Sequence, residues 1–125
     1  MHTFILQDWT AVAGASGAAV TQDETGWLDL APFQDVVIYL DCREATPTGT
    51  PPTIYLETAP AKENSLFQAL VSSVLAASSA PRVLRCLMLN STTPLARYLR
   101  WRITGPTSAW DASFRVLVAA NSPGM

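Results

Sequence analysis

Residues 96–104, ARYLRWRIT, and residues 112–120, ASFRVLVAA, decide the fold class of this chain, because both stretches alternate between apolar and polar side chains. Successive side chains of a β-strand point to opposite faces of the sheet, so each stretch predicts a strand with one buried and one exposed face. The turn-rich residues between them predict that the two strands form an antiparallel pair. The buried faces would comprise Leu99, Trp101 and Ile103 in the first strand and Phe114, Val116 and Val118 in the second.

The same alternation recurs upstream, between clusters of glycine, proline, serine and threonine that break regular structure. Residues 66–75 also fit a helical stripe in part, but we expect a strand there because the neighbouring segments are strands. About eight strands in 125 residues predict an all-β, antiparallel, jelly-roll-like β-sandwich that forms one domain over residues 1–125. The predicted upstream strands are residues 3–9, 26–30, 35–43, 53–58, 66–75 and 82–90.

Three segments depart from the simple alternating pattern. Residues 11–20 are rich in alanine and glycine and predict a flexible arm, and residues 121–125 predict a short loose tail. Residues 82–90 are apolar on both faces except for arginine. This strand is therefore expected in the middle of a sheet, or with one face against another subunit.

The composition narrows the class of partner. Hydrophobic residues make up 49% of the chain and charged residues 14%, against roughly 25% charged in an average soluble domain. Either serine, threonine, glutamine and asparagine coat the surface, or a partner covers some of its apolar area. The net charge of −2 argues against a general nucleic-acid binder or a protein that binds anionic membranes.

The chain shows no targeting or membrane-spanning pattern. Residues 1–6 lack the basic start and apolar run of a signal peptide, so synthesis in a cytoplasm is expected. No run approaches the ~20 apolar residues that cross a bilayer as a helix. Cys42 and Cys86 lie in apolar strand-like stretches and are expected to be reduced, buried thiols, with a bridge between neighbouring strands as the alternative.

Residues with recognisable reaction chemistry are missing from the sequence. His2 is the only histidine, which excludes histidine-based triads and multi-histidine metal sites. Asp41, Glu44 and Glu57 could approach one another as an acid/base pair, but a solvated sheet face with nearby arginines explains them more simply. We predict no catalytic residue, no metal site and no cofactor, and therefore a protein that is not an enzyme.

Aromatic and arginine side chains on the predicted outer faces form the candidate interface. Tyrosine combines a large apolar area with a polar tip, and arginine is enriched at interfaces where lysine is depleted. Such residues suit an interface anchor or a sugar-stacking platform, while cross-strand packing of tyrosine with arginine is the purely structural alternative. The candidate interface residues are Tyr39, Tyr55, Arg85, Tyr98, Arg100 and Arg102.

Residues 93–103, TPLARYLRWRI, followed by a short turn and residues 114–118, FRVLV, resemble the terminal hairpin of small β-sandwich virion proteins of tailed bacteriophages. In size and composition the chain is most similar to the jelly-roll head cement or decoration proteins among them. The resemblance implies a structural protein made in the host cytoplasm that binds the major capsid protein on the capsid surface. The low charge and the strands that are apolar on both faces suit self-association, most simply as a symmetric homodimer and, as the second choice, a trimer.

Two other functions remain open at this point. Similar sandwiches serve as carbohydrate-binding or adhesin-like modules, for which Tyr39, Tyr55 and Tyr98 would form the platform. Others are tail or connector components of a virion. The sequence leaves open the head or tail location, the symmetry of an oligomer and the strand face that makes the contact.

Overall fold

The computed structural model describes residues 2–45, 51–77, 79–86, 93–106 and 108–122. For residues 85 and 86 it describes the backbone only. Within these residues nearly all regular structure is β-strand, and single 3-10 turns occur at Glu24–Gly26 and Asn64–Leu66. The predicted all-β antiparallel sandwich is confirmed. The strands are β1 His2–Gly14, β2 Ala19–Thr21, β3 Leu28–Asp29, β4 Asp35–Ala45, β5 Thr53–Ala59, β6 Gln68–Val74, β7 Arg82–Cys86, β8 Tyr98–Thr104 and β9 Trp110–Asn121.

Two antiparallel sheets share these strands. The first sheet has the order β1-β9-β4-β7, and the second has the order β2-β8-β5-β6, with the two-residue β3 also paired to β8. Strands that follow one another along the chain are thus distributed between two sheets, which is the jelly-roll arrangement. The three-residue β2, which begins within the predicted arm, accounts for the difference between the described strands and the eight that the sequence predicts, whereas β3 lies within the predicted strand over residues 26–30.

The core lies between the two sheets and contains the inner faces that the alternation predicts. Leu99, Trp101 and Ile103 of β8 are buried, as are Phe114, Val116 and Val118 of β9. The rings of Trp101 and Phe114 meet edge to face with their centroids 5.2 Å apart, so the two sheets touch directly at this point. Val36, Ile38, Leu40 and Cys42 complete the inner face of β4, as predicted.

The predicted hairpin between β8 and β9 is wrong. β8 pairs with β5, β2 and β3, whereas β9 pairs with β1 and β4 in the other sheet. The connection after Thr104 crosses from one sheet to the other, and Gly105 donates its N–H to the Ala18 carbonyl at 2.9 Å. Both strands have one buried face, but those faces meet across the core because the strands lie in opposite layers of the sandwich.

Gly105 makes this crossing possible, and its replacement by alanine is expected to lower the free energy of unfolding by about 1–3 kcal/mol. A Cβ at this position would overlap the Trp110 indole and lie 2.9 Å from the Ala18 carbonyl oxygen. Because Trp110 is buried, its ring has little room to move. Denaturant unfolding followed by circular dichroism measures the loss.

Gly17 supplies the control for this prediction. It has a φ of 71°, and nothing lies within 4 Å of its Cβ position, so Gly17→Asn is expected to lose less stability than Gly105→Ala. Equal losses in the two variants would contradict the assigned packing of Gly105 against Trp110.

The prediction of a flexible arm over residues 11–20 is corrected by the structure. Residues 11–14 belong to β1 and pair with the start of β9, and Ala19 begins β2. Position 14 requires glycine because a Cβ there would overlap the Trp110 ring. Of the predicted tail, Asn121 ends β9, while residues 123–125 lie outside the described residues.

The strands β6 and β7 are the edge strands of their sheets on one side of the sandwich. β6 confirms that the ambiguous segment forms a strand, although residues 64–66 precede it as a 3-10 turn. The expectation that residues 82–90 lie in the middle of a sheet is not met over β7, which pairs with β4 only among the described strands. Residues 87–90 lie outside the described residues.

Cys42 is a buried free thiol, in agreement with the predicted reduced state. Burial raises the pKa of the Cys42 thiol, because the thiolate would lose its hydration in the core. Cys86 lies opposite Val36 in the ladder between β7 and β4, and its side chain is outside the described set. Because Val36 is six residues, or roughly 20 Å, along β4 from Cys42, the two cysteines lie too far apart for a bridge within the chain.

Candidate interaction surface

The six predicted interface residues divide between the outer faces of the two sheets. Tyr39 lies on the outer face of the β1-β9-β4-β7 sheet. Arg85 belongs to the same sheet through its pairing with Val37, but its side chain is outside the described set. The other four, Tyr55, Tyr98, Arg100 and Arg102, lie on β5 and β8 of the opposite sheet. The structure therefore does not bring the six together into one surface.

Glu57 is the centre of an ion-pair cluster on the outer side of the β2-β8-β5-β6 sheet. The Nε of Arg100 lies 3.0 Å from one carboxylate oxygen of Glu57, and the Nε of Arg102 lies 3.0 Å from the other. Both Glu57 and Arg100 are only 5% exposed. Each buried charge is therefore neutralised within the chain, as a desolvated ion requires.

Arg100 is buried because two loops cover it, which corrects its prediction as an exposed interface residue. The rings of Phe67 and Trp27 lie 3.8 and 5.1 Å from the guanidinium carbon. Asn64 accepts a 2.6 Å hydrogen bond from an Nη of Arg100. Alternation places Arg100 on the outer side of the sheet, but segments distant in sequence close over that part of it.

The two tyrosines of this sheet are covered by cations of the same chain. Arg102 lies 5.0 Å from the Tyr55 ring centre, and Arg97 lies 5.2 Å from that of Tyr98. Lys62 also lies over Tyr98, with its Nζ 5.6 Å from the ring centre. The cross-strand packing of tyrosine with arginine, which the sequence left as one alternative, is what this face contains.

Arg97 also binds Asp29, with an Nη to carboxylate distance of 3.0 Å. This hydrogen bond lowers the pKa of Asp29, and the Ala31 amide that donates to the same carboxylate lowers it further. The pair is about half-exposed on both sides, so it is a solvated surface contact.

The opposite sheet presents an exposed apolar row on its outer face. Leu117 of β9 is the register partner of both Ile5 of β1 and Tyr39 of β4, and Tyr39 is in turn the partner of Val83 of β7. The apolar row Ile5, Leu117, Tyr39 and Val83 therefore crosses all four strands. Ile5 is 61% exposed, Val83 45% and Tyr39 38%, so the row faces solvent in the isolated chain.

A cluster of one carboxylate and two arginines borders the apolar row. Asp41 is buried between Arg43, whose Nε lies 2.9 Å away, and Arg115, whose Nε lies 3.3 Å away. The guanidinium of Arg115 also lies 5.0 Å from the ring centre of Trp9, which is 46% exposed. Trp9 thus extends the apolar surface beyond the row, and its position is held by Arg115.

The acid/base pair considered for Asp41, Glu44 and Glu57 is not assembled. Asp41 and Glu44 lie on β4 and Glu57 on β5, in opposite sheets, and Asp41 and Glu57 are each paired with two arginines. Glu44 instead lines a cavity of about 200 Å³ together with Ala11, Asp111, Ala112 and Ser113. In the described part of the chain, histidine, cysteine and acidic side chains form no group of three that could hold a metal ion.

Three members of the apolar row escaped the sequence-based selection of interface residues, which relied on tyrosine and arginine. Ile5, Val83 and Leu117 are aliphatic residues in strands that the sequence marks mainly by their buried faces. The sequence feature that could have identified these residues is the presence of apolar residues on both faces of one strand. Leu117 lies between Val116 and Val118, so β9 carries three consecutive large apolar residues.

Comparison with known proteins supports the fold of the chain. No family model matches the sequence, and no curated protein matches it either. The structure is similar to that of the infectious bursal disease virus VP2 subviral particle, with a TM-score of 0.56 and 13% identity. It is also similar to the structure of the Gx strain of infectious bursal disease virus, with a TM-score of 0.54 and 14% identity.

The viral alignments cover nearly all of this chain but only part of each viral chain. Each viral alignment covers 98% of this chain but 33% of the viral chain, so this chain spans about a third of the length of those proteins. A protein of Bacillus endospore appendages, described as a novel family of disulfide-linked pili, aligns over 94% of this chain and 88% of its own with 16% identity and a TM-score of 0.45.

The described residues include no apolar helix of membrane-spanning length.

Proposed function

We propose that this chain is a structural virion protein, a decoration subunit that binds the outer surface of a shell built from the major capsid protein. The observation that carries this proposal is the apolar row, which crosses all four strands of one sheet and exposes three of its four side chains, Ile5, Tyr39 and Val83. Large exposed apolar patches mark contact sites for other proteins. The sandwich fold shared with chains of a viral particle supports a role in a virion.

The chemistry of the apolar row suits a protein partner. Tyr39 lies near its centre and Trp9 at its border, and aromatic side chains of this kind are the residues that most often dominate binding energy. Arg43 and Arg115 at the edge share the single carboxylate of Asp41, so one net positive charge lies beside the row, and the partner surface would have to leave it solvated or meet it with an acidic group. A rigid sheet face that repeats its contact at every shell subunit gains from multivalency even when each contact is weak.

The carbohydrate-binding alternative has less support from the arrangement of the tyrosines. Tyr55 and Tyr98 are covered by Arg102 and Arg97, so a sugar ring would have to displace a cation from each. Tyr39 lies in the other sheet and cannot complete a platform with them. A nucleic-acid partner is also disfavoured, since Arg43, Arg97, Arg100, Arg102 and Arg115 are paired with carboxylates.

Val83→Glu is expected to weaken shell binding at least about tenfold, because a carboxylate would have to be desolvated within an apolar contact. The control is Leu66→Glu, which changes an aliphatic residue of similar exposure in the turn Asn64–Leu66, away from the apolar row. Co-sedimentation with expanded capsid shells of the virus or prophage that encodes the chain measures both variants. Wild-type protein and Leu66→Glu should pellet with the shells, while Val83→Glu stays in the supernatant.

Two results would count against the proposed function. Failure of the wild-type protein to co-sediment with the shells would overturn the proposed function. A saturable quenching of tryptophan fluorescence by a glycan would then favour the carbohydrate-binding alternative. Equal binding by Val83→Glu and wild type would remove the apolar row as the contact surface. Binding to purified tails in place of shells would identify a tail component.

A further inference from the structure

The four edges of the two sheets differ in how they are protected against strand pairing. β1 is interrupted by two irregularities, between Ile5 and Gln7 and between Gln7 and Thr10, and β2 has only three residues. β7 begins with Arg82 and carries a second arginine three residues later. Bulges, short length and charge are the devices by which natural proteins prevent edge-to-edge association.

β6 is the least protected edge among the described strands. It has seven residues, QALVSSV, without a charge or a proline. The sequence contains no charged residue between Glu63 and Arg82, the longest uncharged stretch around any strand edge. One irregularity in its pairing with β5, between Leu56 and Glu57, leaves residues 71–74 as a regular segment.

The hydrogen bonds of this segment show which backbone groups face outward. Leu75 donates its N–H to the Pro52 carbonyl at 2.8 Å, so the backbone groups of Leu75 point toward the β5 side. Because these directions alternate along an antiparallel strand, Ser73 also points toward β5, and Ser72 and Val74 point away from it. The Arg82 guanidinium donates to the Val74 carbonyl, which agrees with this assignment.

Within the regular segment 71–74, Ser72 is therefore the residue whose outward N–H and C=O are both open, because Arg82 already binds the outward carbonyl of Val74. Among the residues that the structure describes, its outward N–H and C=O receive no partner, since β6 pairs with β5 only. A backbone donor and acceptor pair that faces outward from a regular strand is complementary to another extended strand.

From this edge we infer that two copies of the chain associate by antiparallel pairing of their β6 strands, with the two-fold axis at Ser72. The two Ser72 residues would exchange two N–H to carbonyl hydrogen bonds and join the β2-β8-β5-β6 sheets of the two copies into one continuous sheet. This inference goes beyond the proposed function and does not depend on the apolar row.

The absence of charge favours a second copy over an unrelated strand. A residue on a two-fold axis faces its own copy, so a charge there always meets a like charge, which is destabilising between directly opposed side chains. A strand that receives a different chain has no such restriction, because opposite charges could strengthen that pairing. The uncharged stretch around β6 meets the condition for self-pairing.

Charge complementation at Ser72 tests the inference. The wild-type chain is expected to change from monomer to dimer with rising concentration in sedimentation equilibrium. Ser72→Lys and Ser72→Glu should each raise the dissociation constant of the dimer at least about tenfold. An equimolar mixture of the two variants should recover dimer formation, because opposite charges then meet at the axis. Ser72→Ala, which keeps the backbone donor, should behave as wild type.

A backbone variant tests the same contact without adding charge. Ser72→Pro removes an N–H that faces away from β5, so it should abolish the dimer while circular dichroism still reports the folded sandwich. If Ser72→Pro does not fold, the lysine and glutamate mixture decides the question.

Three outcomes would overturn self-pairing through β6. The first is a wild-type chain that stays monomeric at high concentration, and the second is a dimer that all Ser72 variants retain. The third is a mixture of the Ser72→Lys and Ser72→Glu variants that does not form dimers. A dimer lost only in Val83→Glu would assign self-association to the apolar row. Shell binding is measured separately, and a monomeric Ser72→Lys chain that still binds shells would leave the proposed function intact.

Discussion

Replacement of Glu57 by alanine is expected to lower the free energy of unfolding by about 3–5 kcal/mol, the loss typical of breaking a buried ion pair. The carboxylate accepts hydrogen bonds from Arg100 and Arg102 at 3.0 Å each. Without it, the guanidinium of Arg100 would remain buried between Phe67 and Trp27 with Asn64 as its remaining partner. Denaturant unfolding at neutral pH, followed by circular dichroism, measures the effect.

Two further variants distinguish a buried charge from a general loss of packing. Asp29→Ala breaks a second arginine to carboxylate pair, but that pair is about half-exposed, and little change in stability is expected. Glu57→Leu combined with Arg100→Leu removes both buried charges and should lose less than Glu57→Ala alone. Equal losses in Glu57→Ala and Asp29→Ala would contradict the buried character of the cluster.

Replacement of Phe114 by alanine is expected to lower the free energy of unfolding by about 3–5 kcal/mol, because it creates a large cavity in the core. Phe114 is fully buried and is the largest side chain with no exposure. It packs edge to face on Trp101 of the opposite sheet, so its loss also removes a direct contact between the two layers. Thermal and denaturant unfolding of the purified variant measure the change.

Leu117→Ala provides the comparison within the same strand. Leu117 lies on the half-buried outer face of β9, and its truncation is expected to lower stability by about 1 kcal/mol. Phe114→Leu should lie between the two because it retains part of the apolar volume. A larger effect at Leu117 than at Phe114 would contradict the assignment of the inner and outer faces of β9.

The all-β class and the inner face of each main strand were predictable from the sequence. Val36, Ile38 and Leu40 alternate with Val37 and Tyr39 between two aspartates, and all three are buried between the sheets. The period of two is a property of the extended backbone itself, so it is visible in a few residues without knowledge of their partners. Tyr39, the one member of the apolar row selected in advance, was found in the same way.

Sheet membership could not be predicted in this manner. The alternation in β8 and β9 is the same whether the strands pair with each other or face each other across a core, and the structure shows the second arrangement. Trp110 contributes to that choice by packing over the glycines of two connections, Gly14 and Gly105. Such contacts join segments that lie far apart in the sequence, so no local pattern reports them.

By itself, the sequence determined that this chain is an all-β sandwich and which side of each strand is buried, because local backbone geometry sets both. Only the tertiary structure decided which outer residues meet solvent. Arg100 and Val83 both lie on outer faces, yet distant loops bury Arg100, while Val83 remains 45% exposed among the described residues. Exposure depends on which distant segments fold over a face, and the apolar row therefore emerged only when four strands were brought into register.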